Sequence, residues 1–172
     1  MKSKNLRKIL LYCYTALFTS TIFIATTYLP RFSIGIGYIH IGDAFIYIAA
    51  SLLPPPLAVF AAATGASLAD LISGHALWIP ATAVIKGVTA LCFTSRSKSI
   101  ICRRNLFALI CAALFCCGGY YLYESLIVRN FLAPLAYIIP NLLQSVASAL
   151  LYLLLATIIE RVPHIKNQFT FD

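Results

Sequence analysis

The chain has 172 residues, of which 61% are hydrophobic and only 10% charged. Soluble domains carry about 45–50% apolar and about 25% charged residues, so a soluble fold of this length has nowhere to hide its apolar surface. The composition excludes a soluble enzyme or binding module and fits about six bilayer crossings of ~20 apolar residues each, with no room for a separate soluble domain.

The sequence opens MKSKNLRK and turns apolar over residues 9–29. That stretch is too long for the core of a cleaved signal peptide, ~7–15 residues, and it ends in Tyr28-Leu29-Pro30 rather than in small residues. It reads as a retained first membrane helix. Breakers set the remaining limits. Helix 2 is expected over 41–53, ending at Pro54-Pro55-Pro56, and helix 3 over 57–72, stopping at Ser73-Gly74-His75. Helix 4 is expected over 78–94, with Pro80 in its first turn, where a missing N–H leaves no hydrogen bond unmade. Helices 5 and 6 follow over 106–128 and 132–159. The reading is an all-α integral membrane protein of six transmembrane helices, a single membrane domain over 1–172, located in the cell membrane. Helices 2 and 3 are short for full spans, and a re-entrant hairpin around the three prolines is the alternative.

Lys and Arg favour the cytoplasmic side of short loops. Six crossings put Lys2, Lys4, Arg7 and Lys8, then Arg96, Lys98, Arg103 and Arg104, then Arg161 and Lys166 on one face, leaving Arg31 and Arg129 on the other. Both termini are therefore expected to be cytoplasmic, and a re-entrant pair would preserve that parity. The formal net charge of +8 is explained by topology. The basic residues flank membrane helices with no aromatic or Gly-rich module beside them, so nucleic acid is not expected as a partner.

The cysteines, Cys13, Cys92, Cys102, Cys111, Cys116 and Cys117, form no CxxC pair and have no His at ligand spacing. They read as small apolar filler, with no metal or cofactor implied. Polar residues inside the membrane are more informative, because an ionisable group at the bilayer centre costs at least ~2.5–3.5 kcal/mol and faces a cavity or a partner. Depth along each helix places Lys86 near the middle of helix 4 and Glu124 one turn below the outer end of helix 5. Asn141 and Gln144 fall one turn apart on one face of helix 6. Asp43 opens helix 2, where it reads as an anion at a helix N-terminus. Asp70 closes helix 3, either bracing the turn that follows or facing the pocket. Lys86 has two readings, a pocket residue or a bridge to Glu124 or Asp70. His40, His75 and Trp78 flank the cluster, the histidines reading as loop residues, and Tyr120, Tyr121 and Tyr123 read mainly as an interfacial aromatic belt. The polar groups thus converge on the outer half and the inner half is expected to be almost purely apolar, a pocket open to the outside.

No HExxH, GxSxG, paired acidic signature or GxxxxGK[ST] loop occurs, so the chain is not expected to be an enzyme or to hydrolyse ATP itself.

The stretch Tyr38-Ile39-His40-Ile41-Gly42-Asp43-Ala44-Phe45-Ile46-Tyr47, then Ala69-Asp70-Leu71-Ile72-Ser73-Gly74, Pro80-Ala81-Thr82 and Ile85-Lys86-Gly87, resembles the substrate-binding S component of energy-coupling factor (ECF) vitamin transporters. Gly118-Gly119-Tyr120 with Glu124, and Ile139-Pro140-Asn141-Leu142-Leu143-Gln144, resemble helices 5 and 6 of the same family. The resemblance implies a six-helix fold that captures a vitamin or related small molecule from outside. It also implies docking onto a transmembrane coupling protein with two cytoplasmic ATPases, and toppling in the membrane to release ligand. Carried over by position, Lys86, Glu124, Asn141 and Gln144 would line the pocket, and the loop after helix 1 and the segment around His75 and Trp78 would gate it. Small residues four apart on helix 1 serve docking in that family. Ala16 and Ser20 fit that pattern and Ile24 departs from it. A carboxylate-bearing ligand would suit Lys86, whereas a flat heteroaromatic would suit Asn141 and Gln144 with Trp or Tyr stacking. The alternative is a solitary transporter driven by protons or sodium through Asp43, Asp70 or Glu124.

Overall fold

The structure is a computed structural model and describes residues 4–29, 32–34 and 37–162. Lys2, Arg31 and Lys166, counted above in the charge pattern, lie outside the described residues.

Six α-helices occur among the described residues, in the order expected: α1 (Lys4–Thr27), α2 (Gly42–Leu52), α3 (Pro55–Ile72), α4 (Ile79–Cys92), α5 (Arg103–Val128) and α6 (Ile138–Arg161). Their limits differ from the apolar runs for local reasons. α1 starts at Lys4 and α5 at Arg103 because helix-favouring polar residues continue each helix beyond its hydrophobic part. Leu53 is extended (φ −90°, ψ 152°), as a residue before proline must be, which ends α2, and Pro55 and Pro56 then occupy the first turn of α3. α6 begins six residues later than expected. Asn130 Oδ1 accepts the N–H groups of Leu132 and Ala133, and a 3-10 turn over Ala133–Tyr137 precedes the helix. The all-α expectation gains one addition, a short antiparallel pair of β1 (Phe32–Ile34) and β2 (Gly37–Ile39) between α1 and α2. Its aromatic and β-branched residues alternate at strand spacing, a period-2 signal too short to stand out beside the helical ones.

Four helices, α1, α3, α5 and α6, are long and apolar enough to cross a membrane, while α2 and α4 are shorter apolar helices. At ~1.5 Å per residue α2 reaches only ~16 Å, about half of a bilayer core of ~30 Å. Every α2 residue except Phe45 is buried. It is enclosed by α1, α3, α4 and α6. Bilayer-facing surface comes instead from residues such as Phe107, Ile110, Leu114 and Leu126 on α5, which are apolar and exposed. A helix of this kind buries its apolar surface in lipid.

Small residues let the bundle close. Ala58, Ala61, Ala62, Gly65, Ala66 and Ala69 form the buried face of α3, which packs on α1 and α4. A Cβ on Gly65 would lie 2.7 Å from the Thr19 carbonyl oxygen and 3.0 Å from Ile22 Cβ. Backbone cannot yield as a side chain can, so Gly65→Val is expected to push α1 from α3 and to destabilise the fold by roughly 1–3 kcal/mol. Thermal unfolding in detergent checks this, and a wild-type midpoint would show that the two helices are not held at that spacing. Farther along the bundle, Tyr47 stacks on Phe93 (5.1 Å between centroids) and both meet Tyr152 edge-on (6.1 and 5.7 Å). These three rings fill the core between α2, α4 and α6.

Candidate functional site

Loop chemistry brings the polar residues together. α3 ends with Ser73 as its cap and Gly74 left-handed (φ +79°). His75 N–H returns to the Asp70 carbonyl (2.8 Å) and Gly74 N–H to that of Leu71 (3.3 Å), the paired bonds of a Schellman turn. The chain therefore doubles back at once, and a 3-10 turn over Ala76–Trp78 carries the indole toward α5. Trp78 Nε1–H donates to Glu124 Oε1 (3.2 Å), and the Tyr123 hydroxyl donates to the Leu77 carbonyl (2.6 Å). Tyr121 does the same for the segment before α6, donating to the Phe131 carbonyl (3.0 Å). Tyr121 and Tyr123, expected to form an interfacial belt, thus staple the two connecting segments to α5.

A cavity of about 280 Å³ lies where these ends meet. The loops contribute His40, His75 and Trp78, and α3 contributes Asp70. Thr82 comes from α4, Tyr120 and Glu124 from α5, and Asn141 and Gln144 from α6, with Tyr137 and Pro140 just before them. Thr82 and Tyr120 share a hydrogen bond across the wall (2.9 Å). The wall thus combines aromatic faces with amide, hydroxyl, imidazole and carboxylate groups.

A model of the ECF-type riboflavin transporter S component family matches residues 7–161. The chain belongs to that family. No curated protein matches it. S components are substrate-binding subunits of membrane transporters, not enzymes, and this S component has the apolar helices of a membrane protein.

Of the residues expected at the site of this S component, Asp70, His75, Trp78, Glu124, Asn141 and Gln144 line the cavity. Lys86 does not. Its ammonium donates to Asp43 Oδ2 (2.8 Å), which also accepts from Gln144 Nε2 (3.1 Å). Both charged side chains are buried, at 4% and 3% exposure. The bridge considered for Lys86 with Glu124 or Asp70 is thus made with Asp43 instead. Asp43 is the second residue of α2, where an anion is favoured, yet its Oδ2 is turned to Lys86 and Gln144 and its Oδ1 has no hydrogen-bond partner. The ion pair joins α2 to α4, and Gln144 extends the connection to α6 and the cavity wall. His40 also departs from a loop-surface reading: it is buried, and its Nδ1 accepts the Gly42 N–H (3.2 Å).

Besides His40, four lining residues were not read as site residues, and spacing could have found them. Thr82, Tyr120, Tyr137 and Pro140 each precede a singled-out residue by four: Lys86, Glu124, Asn141 and Gln144. On a helix that spacing puts both on one face; Tyr137 stands at the cap of α6, one turn before Asn141.

The other end of the bundle corrects the expectation of an almost purely apolar half. Asn105, fully buried, accepts the Thr94 N–H (2.7 Å) through Oδ1. Its Nδ2 faces the Thr94 and Ile100 carbonyls (3.1 and 2.9 Å) and Ser51 Oγ (3.2 Å). Tyr152 hydroxyl reaches the Ile100 carbonyl (3.1 Å), and Glu160 accepts from the Ser99 hydroxyl (2.6 Å) and the Ile101 N–H (3.2 Å). These bonds satisfy the backbone of the α4–α5 connection, a demand invisible when side chains are placed by depth alone.

Among the described residues no group of three or more His, Cys, Asp or Glu side chains could hold a metal ion, and the six cysteines are free thiols. On α1, Ala16, Ser20 and Ile24 are exposed, while Thr15, Ile22 and Thr26 are buried.

Proposed function

We propose that this chain is the high-affinity substrate-binding subunit of an ECF-type ABC importer. It captures a vitamin or related small heteroaromatic molecule from outside for ATP-driven uptake by partner subunits. The observation that carries this reading is the cavity, about 280 Å³ and walled by Trp78, Tyr120 and Tyr137 beside Asn141 and Gln144, in a chain of the ECF family. Its volume lies just below the ~300–1,000 Å³ usual for small-molecule pockets, which suits a ligand of one or two rings. In this reading the whole chain is one membrane domain of six helices with both termini cytoplasmic, as the basic clusters favour. Asp70, His75, Trp78, Glu124, Asn141 and Gln144 contact the ligand, and Lys86 acts beneath it by holding Asp43 and Gln144. The exposed Ala16 and Ser20 stripe docks on a transmembrane coupling protein, which carries two cytoplasmic ATPases.

Native mass spectrometry of gently extracted protein tests the capture. A defined small-molecule mass is expected on wild type and lost from a Trp78→Ala, Asn141→Leu double variant. A mass retained equally by the double variant would sink the assignment of this cavity. Asn141→Leu alone removes one half-buried polar partner and is expected to weaken the retained ligand about tenfold, or more if a ligand polar group is left unpaired. Equilibrium dialysis of that ligand measures the change.

A further inference from the structure

The cavity's charge is one-sided. Two carboxylates, Asp70 and Glu124, line it, and no lysine or arginine does among the described residues. Lys86, the cation nearest at hand, is bound to Asp43 at 2.8 Å and lies 5.4 Å from the Tyr120 ring centroid, outside the lining. A ligand carboxylate or phosphate would meet the Glu124 carboxylate here and find no lysine or arginine on the lining among the described residues. The lining bases are two imidazoles, His40 and His75, and His40 Nδ1 is turned to the Gly42 N–H at 3.2 Å.

The opposite charge is well served. Glu124 Oε1 is taken by the Trp78 indole, but Oε2 is buried and has no hydrogen-bond partner. A buried carboxylate oxygen of this kind is stabilised by a donor, most strongly a charged one. Trp78 and Tyr137 line the same space, and indole and phenol rings attract a cation through their quadrupoles, whereas the Tyr120 ring already has the Lys86 ammonium over it.

We propose that the ligand of this S component carries a positive charge on nitrogen, as a protonated or quaternary heteroaromatic, seated against Glu124 Oε2. This rests on the cavity being the substrate site. It sets the ligand apart from a neutral heteroaromatic and from a carboxylate-bearing one, which share size and flatness but lack the charge.

A near-isosteric series tests the charge directly: 1-methylnicotinamide (cation), nicotinamide (neutral) and nicotinate (anion), titrated calorimetrically into the full-length detergent-solubilised chain. The cation is expected to bind at least about tenfold tighter than either analogue, the scale of a desolvated ion–carboxylate and cation–π contact. Glu124→Gln keeps the carbonyl that accepts the Trp78 bond, so a role in merely holding the indole would leave binding unchanged. The proposal expects it to cut the cation-to-neutral affinity ratio by about tenfold, with Asp70→Asn as the second variant giving a smaller loss. Equal or absent binding of the cation, or a cation preference that survives both variants, overturns the proposal. Trp78→Ala separates the two levels. A neutral or anionic analogue that binds best and is lost in Trp78→Ala rejects the charge while keeping the site, whereas binding unaffected by Trp78→Ala rejects the site itself.

Discussion

Lys86→Met is expected to destabilise the protein by roughly 3–5 kcal/mol, because it leaves the Asp43 carboxylate charged, buried and without its cation. Asp43 Oδ2 retains only Gln144, and Oδ1 has no hydrogen-bond partner. The partner substitution separates charge from packing. Asp43→Asn with Lys86→Met removes both charges and keeps an oxygen to accept the Gln144 amide, so the double variant should recover most of the lost stability. Thermal unfolding of the purified chains in one detergent measures both. A double variant no better than Lys86→Met would mean that the loss came from the lysine's packing, and a Lys86→Met chain as stable as wild type would mean that the pair contributes nothing. Substrate affinity should track the same pattern, since Gln144 is at once a cavity residue and a ligand of the carboxylate.

The second large effect belongs to the opposite end. Asn105→Ala strips a fully buried amide from the Thr94 N–H, two carbonyls and the Ser51 hydroxyl. Each buried group left unmade costs about 1–3 kcal/mol, so a loss of roughly 2–4 kcal/mol is expected after partial relaxation. Asn105→Asp is the sharper probe. It keeps an acceptor for Thr94 N–H but turns the donor that faces the Thr94 and Ile100 carbonyls into a negative oxygen, and should be at least as damaging as alanine. If aspartate were tolerated at wild-type stability, the donor side of this amide would not be what holds the α4–α5 connection.

Membrane class, helix order and the grouping of the cavity's polar residues were legible because each follows from composition and periodicity along the chain. Asp70, His75, Trp78, Glu124, Asn141 and Gln144 could be grouped because six helices in sequence return these positions to one end. Lys86 was harder. Depth says that it is buried but not what it faces, and its partner lies 43 residues earlier on a helix whose own start already explained an acidic residue. His40 was missed as a wall residue because the short β pair that precedes it left too weak a pattern to place it. The buried network around Asn105 escaped for a related reason: its acceptors are mainly backbone carbonyls, and no residue-type pattern announces a carbonyl that needs a donor.

Trp78 is the chain's one tryptophan, and its indole N–H is bonded to the carboxylate of a cavity residue, Glu124. Indole emission shifts with the polarity and charge around the ring. When excited at the red edge, where tyrosine does not absorb, all of this protein's fluorescence therefore originates from a single wall of the cavity. The chain carries its own optical reporter of occupancy, with no label to attach and no second tryptophan to dilute the signal.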